Sequence, residues 1–443
     1  MRKLLTIILL LVTALSMAAQ TATGAAPQAD TLRLGFSASG TVVDAYTGRP
    51  LESVHVSIPG RHQATVTNAD GFFTLKSDRA IPVIEFSYLG FKTLRQQPGE
   101  SMTVRLQREN LQLLEASIIS GDPQSIVKAA LDRTWDTYCT EPELLECFYR
   151  ETVRKRNRYT YVAEAVARVY KHTFDGTTYR DAAALEKSRL LVSQRKSDTL
   201  SVKTMGGPTQ AITHDIVKNP SILFSEDDWP LYEFRMESPS YIGDRLQFVI
   251  TLTPTYSTEY ALFKSKLYID RELLTFTRIE ASLDMSDRNE AIRAILVSKP
   301  MGLRFFPEEA SIVLNYHLQD GKTRLEYFRS TMRFACDWRK RLFRTHYTSV
   351  NELVVTDVRP EATPIPRRER FTQRDYLNDK ALEFMDPDFW KDYNIIEPTE
   401  SLEHAINRLR KGRSYVYGGR LPVGRDRFLR PLSRDGRFGY PLK

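Results

Sequence analysis

Hydrophobic and polar positions alternate in short runs through the N-terminal part of the chain. In residues 54–58, valine and isoleucine alternate with histidine and serine, the period-2 pattern of a strand that buries one face. Turn residues, with a glycine in each group, separate such runs at 47–50 and 68–71, because glycine adopts the left-handed backbone of tight turns. Short strands divided in this way predict a β-sandwich over residues 36–107.

Longer alternating runs occupy most of the chain that follows. Residues 148–153 and 159–170 are rich in β-branched and aromatic side chains, which predicts an antiparallel pair of strands. Further strands are predicted at 246–252, 263–269, 276–283, 291–297, 310–318 and 325–334, with Asp320-Gly321 as a hairpin turn. So many consecutive strands predict one large curved antiparallel sheet in a second domain at residues 123–411.

A few helices and connecting segments complete the prediction. Asp122 and Pro123 are typical of a helix start, and apolar residues follow at helical spacing as far as Trp135, which we expect in the core. Residues 108–122 are predicted to be a linker, and the polar stretch 175–219 an irregular excursion with some helix. The predicted fold is mainly β, a β-sandwich followed by a large antiparallel sheet domain with few helices.

Four short motifs of the first domain occur together in a known family. They are Gly40-x-Val42-x-Asp44, Thr47-Gly48-x-Pro50-Leu51, Thr67-x-x-Asp70-Gly71-x-Phe73 and Phe86-Ser87-Tyr88-Leu89-Gly90-Phe91. In this set the domain resembles the carboxypeptidase-regulatory-like (carboxypeptidase D regulatory-like) domain, which implies a prealbumin-like or immunoglobulin-like β-sandwich. The resemblance also implies a protein exported by a Gram-negative bacterium, and it implies no enzymatic activity.

Two further resemblances concern the second domain. The motifs Phe148-Tyr149-Arg150-Glu151, Leu267-Tyr268-Ile269-Asp270 and the segment 388–402 are similar to the region that follows the regulatory-like domain in a family of uncharacterised exported bacterial proteins. In architecture alone, the series of strands is similar to the half-barrel of periplasmic lipoprotein carriers. That second resemblance implies a curved sheet that holds lipid on its concave face.

The N-terminus has the features of a secretory signal. Arg2 and Lys3 precede an apolar run at residues 4–15, and small residues follow at Ala18 and Ala19. We therefore predict a signal peptide at residues 1–19, because the apolar run is shorter than the roughly 20 residues that span a membrane. An uncleaved anchor is the alternative. The expected location is the periplasm or the periplasmic face of the outer membrane.

Positive charge is concentrated at the C-terminus. The formal net charge is +8, and the residues from 408 to 443 include eleven lysines and arginines against two acidic residues. We predict a basic tail at 412–443 that attaches to an anionic membrane surface, and nucleic acid is not expected as a partner of an exported protein. A solvated, mobile terminus is the alternative. The candidate attachment residues are Arg413, Arg420, Arg425, Arg427 and Arg430.

The cysteines and histidines exclude several kinds of site. We expect Cys139 and Cys147 to be two buried thiols, and a disulfide between them is the alternative because they are close in sequence. None of the seven histidines is followed by glutamate three residues later, so the zinc ligands of a carboxypeptidase are missing. There is no Gly-x-Ser-x-Gly motif either. We accordingly assign no catalytic residue, no metal ligand and no cofactor.

Four polar residues on the predicted strand pair are the candidate binding residues. Tyr149, Arg150 and Glu151 lie on one strand and Glu164 on the other. Together they could hold a cation or a polar headgroup. The alternative is a partly buried ion pair that braces the sheet, an arrangement common on broad sheets.

These features favour a non-enzymatic exported binding or scaffold protein, with an amphiphilic ligand or an envelope protein as its partner. A periplasmic carrier of lipid or lipoprotein and an envelope hydrolase with a site assembled from distant residues are the alternatives. The surface of the large sheet distinguishes them. An open apolar cavity indicates a carrier, a polar cleft with clustered carboxylates an enzyme, and a face filled by its own side chains a scaffold.

Overall fold

Two β-rich parts make up the protein, as predicted. The structure, a computed structural model, describes residues 35–109, 121–173, 181–195, 197–198, 202–256, 258–338, 343–359, 362–381 and 390–413. The predicted signal peptide at 1–19, most of the predicted linker at 108–122 and the basic tail beyond residue 413 lie outside these ranges. Within them, no helix is both long enough and apolar enough to cross a membrane.

The N-terminal part, which we call the module, is a sandwich of two small sheets. The first has the order β4-β1-β7 and the second the order β3-β2-β5-β6. Alternate residues of the strands are buried between the sheets, so the period-2 pattern produces the predicted β-sandwich. The strands are β1 (Phe36–Asp44), β2 (His55–Ser57), β3 (Ala64–Val66), β4 (Phe72–Ser77), β5 (Ile84–Ser87), β6 (Leu94–Gln96) and β7 (Met102–Leu106).

The turn before β4 shows why its residues are needed. Asn68 accepts backbone hydrogen bonds through its side-chain oxygen from Asp70 and Phe72, at 3.0 and 2.9 Å. Gly71 has a φ of +76°, and a Cβ on it would lie 2.5 Å from the carbonyl oxygen of Val42. Only glycine fits this turn, because any other residue would combine backbone strain with a clash.

The second part is one antiparallel sheet with eleven strands among the described residues. Its order is β11-β12-β13-β14-β15-β16-β17-β8-β9-β10-β18. The predicted strand pair is its β8–β9 hairpin, in which Arg150 lies opposite Glu164. The strands are β8 (Glu143–Lys155), β9 (Arg158–Lys171), β10 (Ala182–Val192), β11 (Tyr232–Ile242), β12 (Arg245–Pro254), β13 (Phe263–Asp270), β14 (Phe276–Leu283), β15 (Leu303–Gln319), β16 (Lys322–Trp338), β17 (Thr345–Arg359) and β18 (Arg370–Phe371).

Helices pack around the sheet, and one of them lies where the sequence predicted a strand. Residues 291–295 of the predicted strand 291–297 belong to a helix, because Asp287 caps its start and Ala291, Ala294 and Ile295 recur at helical spacing on its buried side. Conversely, the predicted excursion 175–219 contains strand β10. The helices are α1 (Pro123–Asp132), α2 (Thr134–Thr137), α3 (Thr209–Thr213), α4 (Arg288–Ile295), α5 (Leu377–Lys380) and α6 (Glu400–Arg413).

Two other details differ from the predictions made from sequence, and one alternative that the sequence left open is decided. Trp135 is 54% exposed and is not a core residue, because it lies on the outer side of short helix α2. The predicted tail at 412–443 begins inside α6, whose buried residues pack against β9 and β10 and so extend the folded part to Arg413. The cysteines Cys139 and Cys147 are free thiols, so the disulfide alternative does not hold in this structure.

The two faces of the large sheet have different coverings. The core face carries Tyr149 and Ala165, which belong to the largest hydrophobic cluster together with residues of α1, α3 and α4. The module face carries Phe148 and Val166, which pack with Val66 of the module. The module is therefore seated directly on one face of the sheet.

Candidate functional site

The four predicted binding residues lie on opposite faces of the sheet. Tyr149 and Glu151 point to the core face, whereas Arg150 and Glu164 point to the module face. Successive residues of a strand project to opposite sides, so a single site cannot contain both Arg150 and its neighbours in sequence. The structure brings the four residues together as two pairs, each with its own partners.

The pair on the core face is a buried carboxyl group held by two phenols. The hydroxyl of Tyr149 donates to Glu151 at 2.9 Å, and the hydroxyl of Tyr161 donates to the other carboxyl oxygen at 3.0 Å. Burial raises the pKa of Glu151 to about 7, although both hydrogen bonds favour the charged form. Every oxygen of this carboxyl group already has a partner within the protein.

Because this carboxyl group is buried, the free energy of unfolding should depend on pH. The pKa of Glu151 lies near 7 in the folded protein and near 4.5 when unfolded, so ionisation destabilises the fold as pH rises through this window. Relative to the wild type, the free energy of unfolding of Glu151→Gln should increase by about 2 to 3 kcal/mol as the pH is raised from 5 to 8. Urea denaturation at both pH values measures the difference, with exposed Glu233→Gln as the control. A difference that is independent of pH would contradict the prediction.

The pair on the module face is part of a buried ion cluster. Arg150 donates to Glu164 at 2.7 Å, and Arg189 of β10 donates to the second carboxyl oxygen. Trp390 donates to the same oxygen at 3.3 Å, while Arg150 also donates to the carbonyl of Ile396 at 2.6 Å. Burial by itself would raise the pKa of Glu164, but the two guanidinium groups lower it to about 2. This geometry is that of an ion pair that braces three strands and the 390–396 segment.

A second buried polar network crosses the core face and was not found from the sequence. Asp215 accepts from Lys171 and, at 2.8 Å, from the hydroxyl of Tyr316. Lys218 donates to Asp181 at 2.7 Å in a pair whose side chains are fully buried. The members are spread along the chain at no motif-like spacing, so only the folded topology could reveal them.

Among the described residues, the chain itself covers the core face of the sheet and the part of the module face formed by β8, β9, β16 and β17. The segment between β10 and β11 lies on the core face, where it buries Val202, Ala211, Ile212, Ile216, Val217, Leu223 and Phe224. On the module face, Val66 meets Trp390, Ile395 and Ile396. The sheet thus meets the criterion of a face filled by its own side chains.

An open cleft remains at the edge of the core face, and we call it the aromatic cleft. It has a volume of about 320 Å³ and lies between helices α1 and α2 and residues 217–229. Trp135, Trp229 and Phe224 contribute aromatic surface, and Lys128 lies among the lining residues. The indole N–H of Trp229 is buried without a hydrogen-bond partner.

A second cleft, of about 280 Å³, lies where the module meets the sheet, and we call it the histidine cleft. Its lining includes His55 of β2, His317 of β15 and Glu326 of β16. Burial, and then the neighbouring His317, lower the pKa of His55 well below its usual range. Burial raises the pKa of Glu326 to about 8. Among the described residues, this group has donor atoms close enough to hold a metal ion.

These features define a two-part β protein in which a β-sandwich module is seated on a large antiparallel sheet. Residues 38–119 match the family model of the CarboxypepD_reg-like domain, which confirms the resemblance seen in the motifs. No curated protein matches the chain. Beyond residue 119, the comparisons therefore rest on solved structures.

Three solved structures show a distant likeness. An outer membrane lipoprotein-sorting protein domain from Vibrio parahaemolyticus has 11% identity and a TM-score of 0.24, with coverage of 56% of this chain and 96% of that chain. A DUF1329 family protein from Desulfovibrio piger has 10% identity and a TM-score of 0.21, with coverage of 54% and 93%. The MucA/MucB complex of Pseudomonas aeruginosa has 14% identity and a TM-score of 0.17, with coverage of 55% and 100%. At these TM-scores, the likenesses support no conclusion about function.

Proposed function

We propose that the protein is a non-enzymatic binding scaffold of the bacterial cell envelope, and that it takes a single-chain amphiphile in the aromatic cleft. The observation that carries this proposal is the filling of the core face of the sheet by the chain itself, as far as the described residues show it. A carrier of lipid needs an open apolar cavity across its sheet, whereas here the segment 202–231 occupies that position. The filled face favours the scaffold over the carrier.

The size and lining of the aromatic cleft indicate what it would bind. Its volume of about 320 Å³ is at the lower end of the range for small-molecule sites, so it suits one apolar chain rather than a whole diacyl lipid. Tryptophan offers a large apolar surface with one polar group, a combination common where one end of a ligand is apolar and the other wet. Trp135 and Trp229 would pack against the chain of the ligand.

A charged group lies beside this apolar surface. Lys128 pairs with Asp132 at 3.4 Å, but both side chains are more than half exposed, so the pair is worth at most about 1 kcal/mol. An anionic headgroup can compete for Lys128 at little cost. The proposed ligand is therefore a single-chain amphiphile with an anionic head.

Fluorescence quenching by a bromine-labelled fatty acid tests this assignment. Bromine quenches tryptophan on contact, so we expect saturable quenching as the cleft fills. Removing an aromatic wall with Trp135→Ala should weaken binding about tenfold, because aromatic contacts contribute roughly 1 kcal/mol beyond their buried area. Tyr46→Ala removes an exposed aromatic residue of the module and is the matched control.

Two results would contradict the proposed function. Equal affinity in Trp135→Ala and the wild type would move the ligand away from the aromatic cleft. One diacyl lipid per chain, found by mass spectrometry after organic extraction of protein purified from the envelope, would favour the carrier instead. We expect less than stoichiometric diacyl lipid.

The location of the scaffold rests on segments outside the described residues. Cleavage after the predicted signal at 1–19 would release the protein into the periplasm, where the basic tail could hold it at an anionic membrane surface. The resemblance of the module to domains of exported proteins supports the same compartment. Envelope proteins are the partners that this location offers.

A further inference from the structure

We propose that His55, His317 and Glu326 form a binding site for one divalent transition-metal ion, of the Zn²⁺ class, which fastens the module to the large sheet. The three residues come from β2, β15 and β16. One ligand belongs to the module and two belong to the sheet, so the site exists only where the two parts meet.

The distances between the donor atoms suit a small cation. All three side chains can offer ligand atoms that lie within 4.8 Å of one another. Nε2 of His55 is 3.5 Å from Glu326, and Nδ1 of His317 is 3.8 Å from the other carboxyl oxygen. Ligand bonds of about 2.0 to 2.2 Å to a shared ion require separations of this order, so small side-chain movements complete the site.

The donor set indicates the class of metal. Two imidazoles and one carboxylate suit Zn²⁺ and its first-row neighbours, whereas Mg²⁺ and Ca²⁺ prefer oxygen ligands alone. Three protein ligands leave a position open. The histidine cleft, of about 280 Å³, lies beside the group and has room for water or a small anion in that position.

A β-bulge in the pairing of β15 with β16 determines where the carboxylate of Glu326 lies. Asn315 pairs with Tyr327 and Tyr316 pairs with Leu325, which leaves Glu326 as the extra residue of a β-bulge. A bulge redirects side chains, and here Glu326 turns toward the module beside His317. A regular strand would alternate and would not place both Glu326 and Tyr327 toward the module.

His55 is a poor fit to a site without a cation. It is 7% exposed, its Nδ1 has no hydrogen-bond partner, and its ring centroid lies 4.7 Å from that of His317. The ring nitrogen that faces Glu326 is Nε2, at 3.5 Å, and its lone pair can ligate a metal ion. The pair of imidazoles and the bulge at Glu326 are two separate observations, and both bring donor atoms to the same place.

Neighbouring charges leave the site accessible to a cation. The guanidinium of Arg278 acts on the charge of Glu326, and it is already held by Glu280 at 2.7 Å and Asn315 at 2.8 Å. Around the cleft, arginines are offset by acidic residues. The charged lining residues are Arg61, Arg95, Arg324, Glu85 and Asp320.

Metal titration of the full chain tests the proposal. After removal of metal with a chelator, we expect one equivalent of Zn²⁺ to bind and to raise the unfolding temperature, because the site forms only in the folded, docked protein. Co²⁺ in place of Zn²⁺ should give the visible bands of a four- or five-coordinate ion. His317→Ala should weaken binding by more than about 100-fold, since loss of an outer-shell partner alone costs 10- to 100-fold.

His62→Ala is the matched control, because His62 lines the same cleft but bonds to Gln319 at 2.9 Å instead of facing Glu326. It should bind Zn²⁺ as the wild type does. Glu326→Gln provides a second ligand variant, and circular dichroism shows whether each variant is folded. The proposal is overturned if the wild type binds less than one equivalent, or if a folded His317→Ala or Glu326→Gln keeps the affinity and the Co²⁺ spectrum of the wild type.

Discussion

Replacing Glu164 with glutamine should lower the free energy of unfolding by about 3 to 5 kcal/mol, the range found when one partner of a buried ion pair is removed. The side chain of Glu164 is fully buried, and it accepts from both Arg150 and Arg189, which are themselves buried. An amide can accept from only one of the two guanidinium groups. Both guanidinium groups would then lose the negative charge of Glu164, and one of them would also lose its hydrogen bond to this side chain.

Urea denaturation of the variant and of Glu233→Gln at pH 7 measures this effect. Glu233 pairs with Arg235 at 3.1 Å, but both side chains are more than half exposed, so the control should change stability by less than about 1 kcal/mol. Equal losses in both variants would show that burial of the Glu164 cluster is not what makes it stabilising.

Lowering the pH should remove the stabilising contribution of Glu164 from the wild type. The folded pKa of Glu164 is near 2 and lies below its unfolded value near 4.5, so the stabilisation is complete above about pH 4.5 and is lost as pH falls toward 2. The difference between Glu164→Gln and the wild type should therefore shrink on acidification. As the pH falls, the wild type therefore loses stability at Glu164, whereas it gains stability at Glu151, whose buried carboxyl group becomes protonated.

Phe73→Ala should destabilise the module by about 3 to 5 kcal/mol, as is usual when a phenylalanine is removed from a packed core. Phe73 has no exposed surface, and its ring meets that of Phe86 edge to face at 5.3 Å. The cavity left by the ring would lie between the two small sheets, where little can move to fill it. Hydrogen exchange of module amides in the full chain measures the local change.

Phe36→Ala is the matched control for this substitution. Phe36 lies on β1 of the same module but is 48% exposed, so its loss should change stability by less than about 1 kcal/mol. If both variants lose protection equally, the core of the module does not depend on Phe73.

The seating of the module bears on the prediction that residues 36–107 fold alone. Val66 is buried against Phe148 and Tyr327, and Thr65 donates to the carbonyl of Ile395 at 2.9 Å. An isolated module would expose these groups, although its own core between the two sheets would stay intact. Independent folding remains a prediction, and we expect the isolated module to be less stable than the docked one.

The residues of the predicted binding site are adjacent in sequence but not on the same face of the sheet. The sequence places Tyr149, Arg150 and Glu151 side by side, yet the pleat of the strand sends the middle residue to the opposite face. The pairing of Arg150 with Glu164 across the hairpin was accessible from sequence, because a tight β-hairpin brings such residues together. Arg189 and Trp390 come from distant segments, and no local pattern indicated them.

What the sequence determined by itself was local. Alternation, turn residues and motif spacing were enough to predict the β-sandwich and most strands of the large sheet, because these features depend on backbone geometry over a few residues. The strand predicted at 291–297 was wrong for the same reason, since a few apolar residues fit a strand and a helix face equally well.

The tertiary structure alone decided what lies on each face of the large sheet. The filling of the core face, the seating of the module and the meeting of His55 with His317 and Glu326 depend on strand order and on the bulge at Glu326. Such contacts join residues far apart in the chain, and their energy comes from packing that no short window of sequence contains. Both the aromatic cleft and the histidine cleft are therefore properties of the fold and not of any motif.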